Sequence, residues 1–278
     1  MSSVNLHEVV EKSILAPQYE SQEYVDTYLK IHMKRFVETV NLLQQIARPH
    51  MRVIDVGSYG SLVPALKDVL GFEQITITEP HQDKQPRTEE ATLQNARNSR
   101  KYPFVVDRFD LEGPFPYANG TFDIVIFTEV LEHLAVDPVH TLSEINRITR
   151  MGGWLLVSTP NCASTKSVLN ILRGRNPNLY PVYTKQPSRD RHNREYVPWE
   201  VRQLLFSTGY DVTSLEAVDV YEDSYKGEAG KLFIRTALRI ACLLFFKSIN
   251  VKNRGDTIFA LGRKIAGVKE RYPAFLYV

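Results

Sequence analysis

Residues 51–61 read Met-Arg-Val-Ile-Asp-Val-Gly-Ser-Tyr-Gly-Ser, and this stretch decides the fold. Its first half is a β-branched run typical of a buried strand, while Gly57 and Gly60 permit a tight turn into a helical run at Ser61–Leu70. Further strand candidates follow at Gln74–Glu79, Phe104–Val106, Asp123–Thr128 and Trp154–Ser158. Alternating strands and helices predict an α/β chain with a Rossmann-like, doubly wound parallel sheet.

The remaining chain is assigned around this sheet. Residues 49–278 are predicted to form the domain, and residues 1–48 a helical N-terminal extension. Two interruptions are expected, a lid or substrate loop at 161–198 and an apolar helical insertion at 227–250.

Three smaller elements complete the predicted layout. Thr88–Asn98 is predicted as a helix, because the run lacks the alternation of a strand. Tyr210–Tyr221 and Asp256–Arg263 are predicted to form an antiparallel pair at the end of the sheet.

Composition and charge exclude several classes of protein. The chain has 278 residues, 43% of them hydrophobic, with 34 Lys+Arg against 32 Asp+Glu, so its field does not favour nucleic acid. Cys162 and Cys242 are far apart and lack the spacing of a disulfide framework or zinc finger, which favours a cytoplasmic location. Charged residues in Met1–Leu15 argue against a secretory signal there.

The turn after the first strand is the expected ligand site. In a doubly wound sheet, ligands bind beyond the carboxyl ends of the strands, and Glu79 at the end of the second strand suits a ribose diol. A dinucleotide fingerprint starting at Gly57 requires glycines where Tyr59 and Leu62 stand. NAD and FAD are therefore disfavoured.

Five signals occur in order along the chain: Asp55-Val-Gly57, Glu79, Asp110-Leu111, the strand ending at Thr128 and the Gly152-Gly153 turn. With these the chain resembles a class I S-adenosylmethionine-dependent methyltransferase over about residues 50 to 265. The resemblance implies a seven-stranded sheet and S-adenosyl-L-methionine as the cofactor. The glycine loop departs from the usual Gly-x-Gly-x-Gly run, so Tyr59 is expected to reshape or cover the pocket.

The resemblance also implies roles for individual residues. The loop Gly57, Ser58, Tyr59 and Gly60, after Asp55, would hold the methionine part of the cofactor. Glu79 would hold the ribose hydroxyls, and Asp110 with Leu111 would meet the adenine. Phe127 and Thr128 would close the site from the fourth strand.

A narrower likeness concerns four stretches, Arg108–Tyr117, Thr128–Leu134, Ser158–Asn161 and Asp190–Tyr196. Together they are similar to a bacterial methyltransferase branch often associated with polysaccharide and glycan biosynthesis. The resemblance implies O-methylation of a small molecule or glycan, including a lipid-linked one. N-methylation and a cofactor-binding partner subunit without transfer activity remain alternatives.

Glu129, Glu132 and His133 stand at i, i+3 and i+4, so a helix would place all three on one face near the fourth strand. His133 is a candidate general base for an attacking hydroxyl. Alternatively the trio binds Mg²⁺ or Mn²⁺, as the same pattern does in some RNA and ubiquinone-pathway methyltransferases. A purely structural contact between Glu129 and His133 is the third hypothesis.

The long loop contributes further candidates. His192 is a second proton acceptor or a fourth metal ligand, and Arg189, Arg191 and Arg194 around it suit hydroxyl-rich or phosphorylated ligands. Sugar faces could stack on the flat side chains of three tyrosines, Tyr180, Tyr183 and Tyr196.

The apolar segment 232–246 is too short to span a membrane, because fifteen helical residues rise only about 22 Å. Peripheral contact with the inner face of a membrane, packing on the sheet and a homodimer interface remain the alternatives for it.

Overall fold

The computed structural model describes residues 5–19, 21–80, 86–177, 191–221, 236, 240–241, 244–245 and 252–278. Tyr180, Tyr183, Arg189 and most of the predicted helix at 232–246 lie outside the described residues.

One mixed sheet of eight strands organises the described part of the chain. The strands are β1 Arg52–Val56, β2 Gln74–Pro80, β3 Arg87–Gln94, β4 Lys101–Phe109, β5 Phe122–Thr128, β6 Thr149–Pro160, β7 Tyr210–Val218 and β8 Thr257–Lys264. Their order across the sheet is β3-β4-β2-β1-β5-β6-β8-β7.

The centre of the sheet is parallel and its edges are antiparallel. β4, β2, β1, β5 and β6 pair in parallel, whereas β3 runs antiparallel to β4, and β8 runs antiparallel to both β6 and β7. β2 and β4 lie on one side of β1, and after β4 the chain crosses to β5 on the other side of β1. The carboxyl ends of β1 and β5 therefore form the switch point at which doubly wound sheets bind ligands.

Helices cover both faces of the sheet. They are α1 Leu6–Ile14, α2 Gln22–Tyr24, a π-helix at Val25–Leu29, α3 Met33–Gln44, α4 Val63–Asp68, α5 Pro138–Ile148, α6 Thr165–Leu172 and α7 Pro198–Ser207. One apolar core forms where α1, α3 and α4 pack on β1 and β2, and a second where α5 and α7 pack on β5 and β6. Burial of these faces supplies the main stabilisation of the layers.

The predicted helix at Thr88–Asn98 is wrong, because the segment forms the edge strand β3. Its eight residues pair in register with β4, for example Ala91 with Phe104. Glu, Ala, Leu and Gln favour a helix locally, but pairing with β4 overrides that preference. This additional strand makes the sheet eight-stranded rather than seven-stranded.

The antiparallel pair predicted at the end of the sheet is confirmed in β7 and β8. Within the predicted loop 161–198, residues Thr165–Leu172 form the helix α6. None of the helices that the structure describes combines the length and apolar composition needed for a transmembrane segment. Within 232–246 the five described residues, Thr236, Ile240, Ala241, Leu244 and Phe245, are helical and exposed.

Candidate functional site

A cavity of about 570 Å³ lies at the switch point, between the N-terminal helices and the carboxyl ends of β1 and β5. Most of the residues predicted to hold the cofactor line it. They are Asp55, Gly57, Ser58, Tyr59, Asp110, Leu111 and Thr128. Glu129, His133 and His192 line the same cavity, so the predicted cofactor and chemical groups meet in one place.

Backbone hydrogen bonds fix the turn after β1. The Gly57 and Ser58 N–H groups donate to the Thr78 hydroxyl and carbonyl oxygens, both at 2.9 Å. Gly57 has φ +75°, and a Cβ built there would lie 2.6 Å from Val130 Cγ2. Glycine is therefore required by backbone conformation and space together.

The other side of the cavity is built by the loop after β4. Leu111 is buried, and the Asp110 carboxylate accepts from the Glu112 N–H at 3.1 Å. Glu112 in turn accepts from the Ala135 and Val136 N–H groups at 2.8 and 2.6 Å. The loop predicted to meet the adenine is thus tied to the segment after His133.

Three predicted cofactor residues are not part of the cavity wall. Glu79 accepts from Arg108 Nε at 2.7 Å, so a ribose diol would share this carboxylate with Arg108. Phe127 is fully buried in the second core, and Gly60 turns the chain behind Ser58 with φ +79°. The roles assigned to these residues stay predictions.

Asp55 is buried beneath the turn and lines the cavity. Burial raises the pKa of Asp55 to about 7, against smaller opposing effects of a hydrogen bond from Ser58 and the charge of Arg35. Desolvation disfavours the ionised carboxylate, so the ligand-free site holds this proton into the neutral range.

The raised pKa of Asp55 predicts a pH-dependent stability. The unfolded chain ionises this group near its ordinary pKa of 3.8, whereas the folded chain keeps the proton up to about pH 7. Stability should therefore fall as the pH rises from about 4 to 7, by at most about 1.4 kcal/mol per pH unit from this group. The free energy of unfolding, measured by urea unfolding across this range, should depend less on pH in Asp55→Asn than in the unchanged chain. An identical pH dependence in the two proteins would contradict the raised pKa of Asp55.

The predicted helical face carrying Glu129, Glu132 and His133 is wrong. Glu129 has φ +56°, and a 3₁₀ turn at Leu131–His133 follows it. The Glu129 N–H donates to the Ser158 carbonyl oxygen at 2.9 Å, which prolongs the strand pairing to this position and prevents a helix from starting there. The three side chains therefore do not share one face of an α-helix.

The Glu129 carboxylate forms an ion pair with Arg35 on the N-terminal helix α3. It lies 3.3 Å from Arg35 Nη1 and accepts from the Ser158 and Tyr221 hydroxyls at 2.8 and 3.3 Å. These three partners hold both oxygens of the Glu129 carboxylate in place.

Glu132, His133 and His192 come together instead, with one potential ligand atom of each within 4.8 Å of the others. Glu132 is 1% exposed; its Oε2 accepts from the Thr159 hydroxyl at 2.9 Å, while Oε1 has no hydrogen-bond partner among the described residues. Burial, followed by the charge of Glu129, raises the pKa of Glu132 well above its ordinary value.

Both imidazoles are oriented by an acceptor at Nδ1. The His133 Nδ1 lies 3.0 Å from the Arg191 carbonyl oxygen, and the His192 Nδ1 lies 3.1 Å from Glu195 Oε1. Because a carbonyl oxygen only accepts, the His133 Nδ1 donates to the Arg191 oxygen. The rings pack edge to face at 4.9 Å, and His133 Nε2 lies 3.9 Å from Glu132 Oε1.

One expectation for the long loop is not met. Tyr196 is 2% exposed and packs in the second core, so it offers no surface for a sugar. Arg194 pairs with Glu200 at 2.5 Å and stacks on Tyr196, and these contacts anchor the loop to α7. The loop is also held by Asn193, whose N–H and side-chain amide donate to the Glu132 and His133 carbonyl oxygens.

Sequence reasoning missed the contribution of the N-terminal helices. Tyr28, Arg35, Phe36 and Thr39 line the cavity. Arg35, Phe36 and Thr39 lie on α3, and no motif in the sequence of that helix marks them as cavity residues.

The chain is similar to known proteins in sequence and in fold. A family model described as a methyltransferase domain matches residues 25–215. A Mycolicibacterium smegmatis protein described as a probable S-adenosylmethionine-dependent methyltransferase is 32% identical over 124 residues, covering 45% of this chain and 41% of that protein. An uncharacterized methyltransferase of Schizosaccharomyces pombe is 31% identical over 137 residues, covering 47% of this chain and 48% of that protein. The chain therefore spans less than half the length of these curated relatives.

Solved structures share the fold at low identity. A chain from the complex between the Haloferax volcanii Trm112 methyltransferase activator and a protein described as a methyltransferase has a TM-score of 0.56 at 17% identity, covering 88% of this chain and 95% of that chain. An Archaeoglobus fulgidus SAM-dependent methyltransferase has a TM-score of 0.51 at 15% identity, covering 87% of this chain and 99% of that chain.

Proposed function

Since the chain belongs to the methyltransferase domain family, we propose that it transfers the methyl group of S-adenosylmethionine to a hydroxyl group of a small molecule or glycan. The observation that carries this proposal is the single cavity lined by the turn after β1, by Asp110 and Leu111, and by His133 and His192. A methyl donor on the turn and an acceptor at the imidazoles would occupy adjoining parts of it.

Methyl transfer requires alignment and removal of one proton. The acceptor oxygen attacks the methyl carbon in line with the departing sulfur, so the O–CH₃ bond forms as the S–CH₃ bond breaks. Alignment of two reactants can lower the activation barrier by roughly 7 to 11 kcal/mol. In the proposed mechanism His133 takes the hydroxyl proton at Nε2, since Nδ1 donates to the Arg191 carbonyl oxygen.

His192 is proposed to assist at the same acceptor. Glu195 orients its ring through Nδ1, and the edge-to-face contact with His133 keeps both Nε2 atoms near the cavity. Glycan and lipid-linked acceptors are supported by the sequence likeness alone, and N-methylation is the nearest rival because an amine also attacks a sulfonium methyl.

Binding and turnover test the proposal separately. Calorimetric titration with S-adenosylmethionine and S-adenosylhomocysteine measures cofactor affinity. Production of S-adenosylhomocysteine is then measured with matched hydroxyl and amine acceptors of the same carbon skeleton. Turnover with the hydroxyl members supports O-methylation, turnover confined to amines replaces it by N-methylation, and absence of cofactor binding refutes the proposal as a whole.

A divalent cation, Mg²⁺ or Mn²⁺, is the second candidate for activating the hydroxyl. One carboxylate oxygen of Glu132 and one ring nitrogen each of His133 and His192 are a suitable donor set. The Nδ1 of each histidine lies at hydrogen-bond distance from an oxygen, as is common in metal-bound histidines. The predicted ligand Glu129 is replaced in this set by His192, because Glu129 is paired with Arg35. Such a cation would lower the pKa of a bound hydroxyl.

Chelation distinguishes the cation from the imidazole base. If His133 acts as the base, we expect turnover to be unchanged after dialysis against EDTA. Loss of turnover with recovery on addition of Mn²⁺, but not of Ca²⁺, would establish the cation instead. S-adenosylhomocysteine affinity, measured before and after chelation, is the control for an intact fold.

A partner subunit without transfer activity is the alternative from another class. The similar Haloferax chain comes from a complex with a methyltransferase activator, which supports a test for a protein partner here. Cofactor affinity without turnover on any acceptor would favour this alternative. Homodimer formation and a cytoplasmic, membrane-peripheral location through 232–246 are proposed from the sequence, and sedimentation without and with anionic vesicles tests them.

A further inference from the structure

The helix α6 ends in an exposed turn that combines aliphatic side chains with arginines. Ile171 and Leu172 are 56% and 72% exposed, and Arg173 and Arg175, which follow them, are exposed as well. Neither guanidinium has a polar partner among the described residues. We call these four residues the α6 end. Side chains of isoleucine and leucine are usually buried, so two adjacent exposed ones suggest a surface that contacts something.

The beginning of α6 is fixed to the body of the protein. The Thr165 N–H donates to the Arg254 carbonyl oxygen at 2.9 Å, the Lys166 ammonium lies 2.7 Å from the buried Asp256 carboxylate, and Leu169 is buried. α6 also follows the carboxyl end of β6, and this end lies on the edge of the sheet that carries the cavity. The exposed last turn is thus supported by an anchored first turn at the cavity edge.

The net charge of +2 conceals a strong segregation of charge along the chain. Residues 161–189, which contain α6, and residues 231–255 together carry 11 of the 34 Lys+Arg and none of the 32 Asp+Glu. The rest of the chain carries 23 Lys+Arg against 32 Asp+Glu. Both segments are joined to the cavity edge of the sheet, the first after β6 and the second just before β8. The α6 end therefore belongs to a positively charged stretch without a single carboxylate side chain.

The described part of the second segment has the same composition. Ile240, Leu244 and Phe245 are helical and more than half exposed. Exposed apolar side chains together with lysines and arginines are typical of helices that lie in the interface of a lipid bilayer.

An anionic lipid surface fits the α6 end better than other partners do. Aliphatic side chains enter the boundary between headgroups and acyl chains, while arginines contact the lipid phosphates. A second copy of the chain would bring arginines against arginines, which is unfavourable. Single-stranded nucleic acid would use the arginines but stacks its bases on aromatic side chains, so it would leave Ile171 and Leu172 in water.

We propose that the α6 end docks this protein on an anionic lipid bilayer and brings the cavity edge of the sheet to the membrane surface. The inference goes beyond the proposed function, because docking requires neither the cofactor nor methyl transfer. It adds that an acceptor anchored in the bilayer would be presented at the edge where the cavity lies.

Flotation of the full chain with lipid vesicles tests the proposal. The chain should bind vesicles of phosphatidylcholine mixed with phosphatidylglycerol at least about 10-fold more tightly than vesicles of phosphatidylcholine alone. Arg173→Gln/Arg175→Gln should weaken binding to the mixed vesicles roughly 10- to 30-fold, the loss expected for two cations at the surface. Ile171→Ser/Leu172→Ser should weaken it by at least about 10-fold, because apolar area no longer enters the bilayer.

Matched controls lie at the opposite edge of the sheet. Met151→Ser/Ile265→Ser removes two side chains that are also more than half exposed, and Arg48→Gln/Arg52→Gln removes two exposed cations before and at the start of β1. Both double variants should bind the mixed vesicles as the unchanged chain does. Since all these side chains are exposed, thermal unfolding should be the same in every variant, and this measurement guards against misfolding.

The outcomes separate docking from methyl transfer. The inference is overturned if the unchanged chain does not bind the mixed vesicles, or if the two α6-end variants bind them as tightly as it does. Binding of a single-stranded RNA in place of vesicles, lost in the arginine variant alone, would reassign the surface to nucleic acid and also overturn it. The α6-end variants should keep their S-adenosylhomocysteine affinity in solution. A chain that docks on vesicles without binding this nucleoside loses the proposed function and keeps the inference.

Discussion

Replacing His133 by alanine is expected to lower turnover by about 10² to 10⁴-fold, the usual contribution of a general acid or base. The Arg191 carbonyl oxygen orients the His133 ring through Nδ1, and Nε2 is the atom proposed to take the acceptor proton. The side chain is partly exposed at the cavity, so its removal should leave the fold intact. S-adenosylmethionine affinity should change by less than about threefold, because the proposed cofactor contacts lie elsewhere in the cavity.

The measurement is a single-turnover rate with saturating cofactor and acceptor, made on His133→Ala and on His50→Ala. His50 is exposed before β1 and serves as the matched control, with an unchanged rate expected. Partial recovery of the His133→Ala rate by added imidazole would support proton transfer. A rate within tenfold of the unchanged chain would exclude His133 as the base.

The substitution Gly57→Ala is expected to lower both the stability of the protein and its affinity for the cofactor. The methyl group would start 2.6 Å from Val130 Cγ2, at a backbone φ of +75° that alanine rarely adopts. Because Gly57 and Ser58 donate to Thr78, relief of this overlap would displace the whole turn. We expect a loss of about 1–3 kcal/mol in the free energy of unfolding and at least about 100-fold weaker cofactor binding.

Gly120→Ala is the control for this substitution. Gly120 also has positive φ, +68°, but a Cβ there would make only ordinary contacts with Arg150, from 3.6 Å. It should lose stability through the backbone alone and bind S-adenosylhomocysteine normally. Calorimetry on the two folded variants compares them directly, and normal binding by Gly57→Ala would remove the turn after β1 from the cofactor site.

The local sequence predicts an element correctly where its residue preferences agree with the packing of that element in the sheet. β1 and its turn, β5, and the pair β7 and β8 follow from β-branched runs and glycines whose preferences match their positions in the sheet. The cavity at the carboxyl ends of β1 and β5 follows from the topology. The topology predicts Asp55 and Gly57 in its wall, whereas Asp110 and Thr128 are predicted there by the resemblance to class I methyltransferases.

The local sequence does not predict a conformation that is determined by contacts with residues far away in the chain. Glu129–His133 has helix-forming composition, yet the hydrogen bond to Ser158 and the burial of Glu132 against Thr159 impose a left-handed residue and a 3₁₀ turn. Arg35 could not be assigned to the site for the same reason, since its partner Glu129 follows far along the chain. No periodicity signals a contact of that kind.

The exposed edge strand β3 bears on the association of separate molecules of this protein. Among the described strands it pairs with β4 alone, and most of its residues are exposed. At the end of β3 the Gln94 carbonyl oxygen accepts from the Gln18 N–H at 2.9 Å. The rest of the edge is a row of backbone amides and carbonyls to which strands of other molecules can add, and such addition leads to aggregation. Arg87, Glu89 and Glu90 bring charges of both signs to this border, and a neighbouring chain could join only by removing them from water. Their placement should keep the protein dispersed at high concentration.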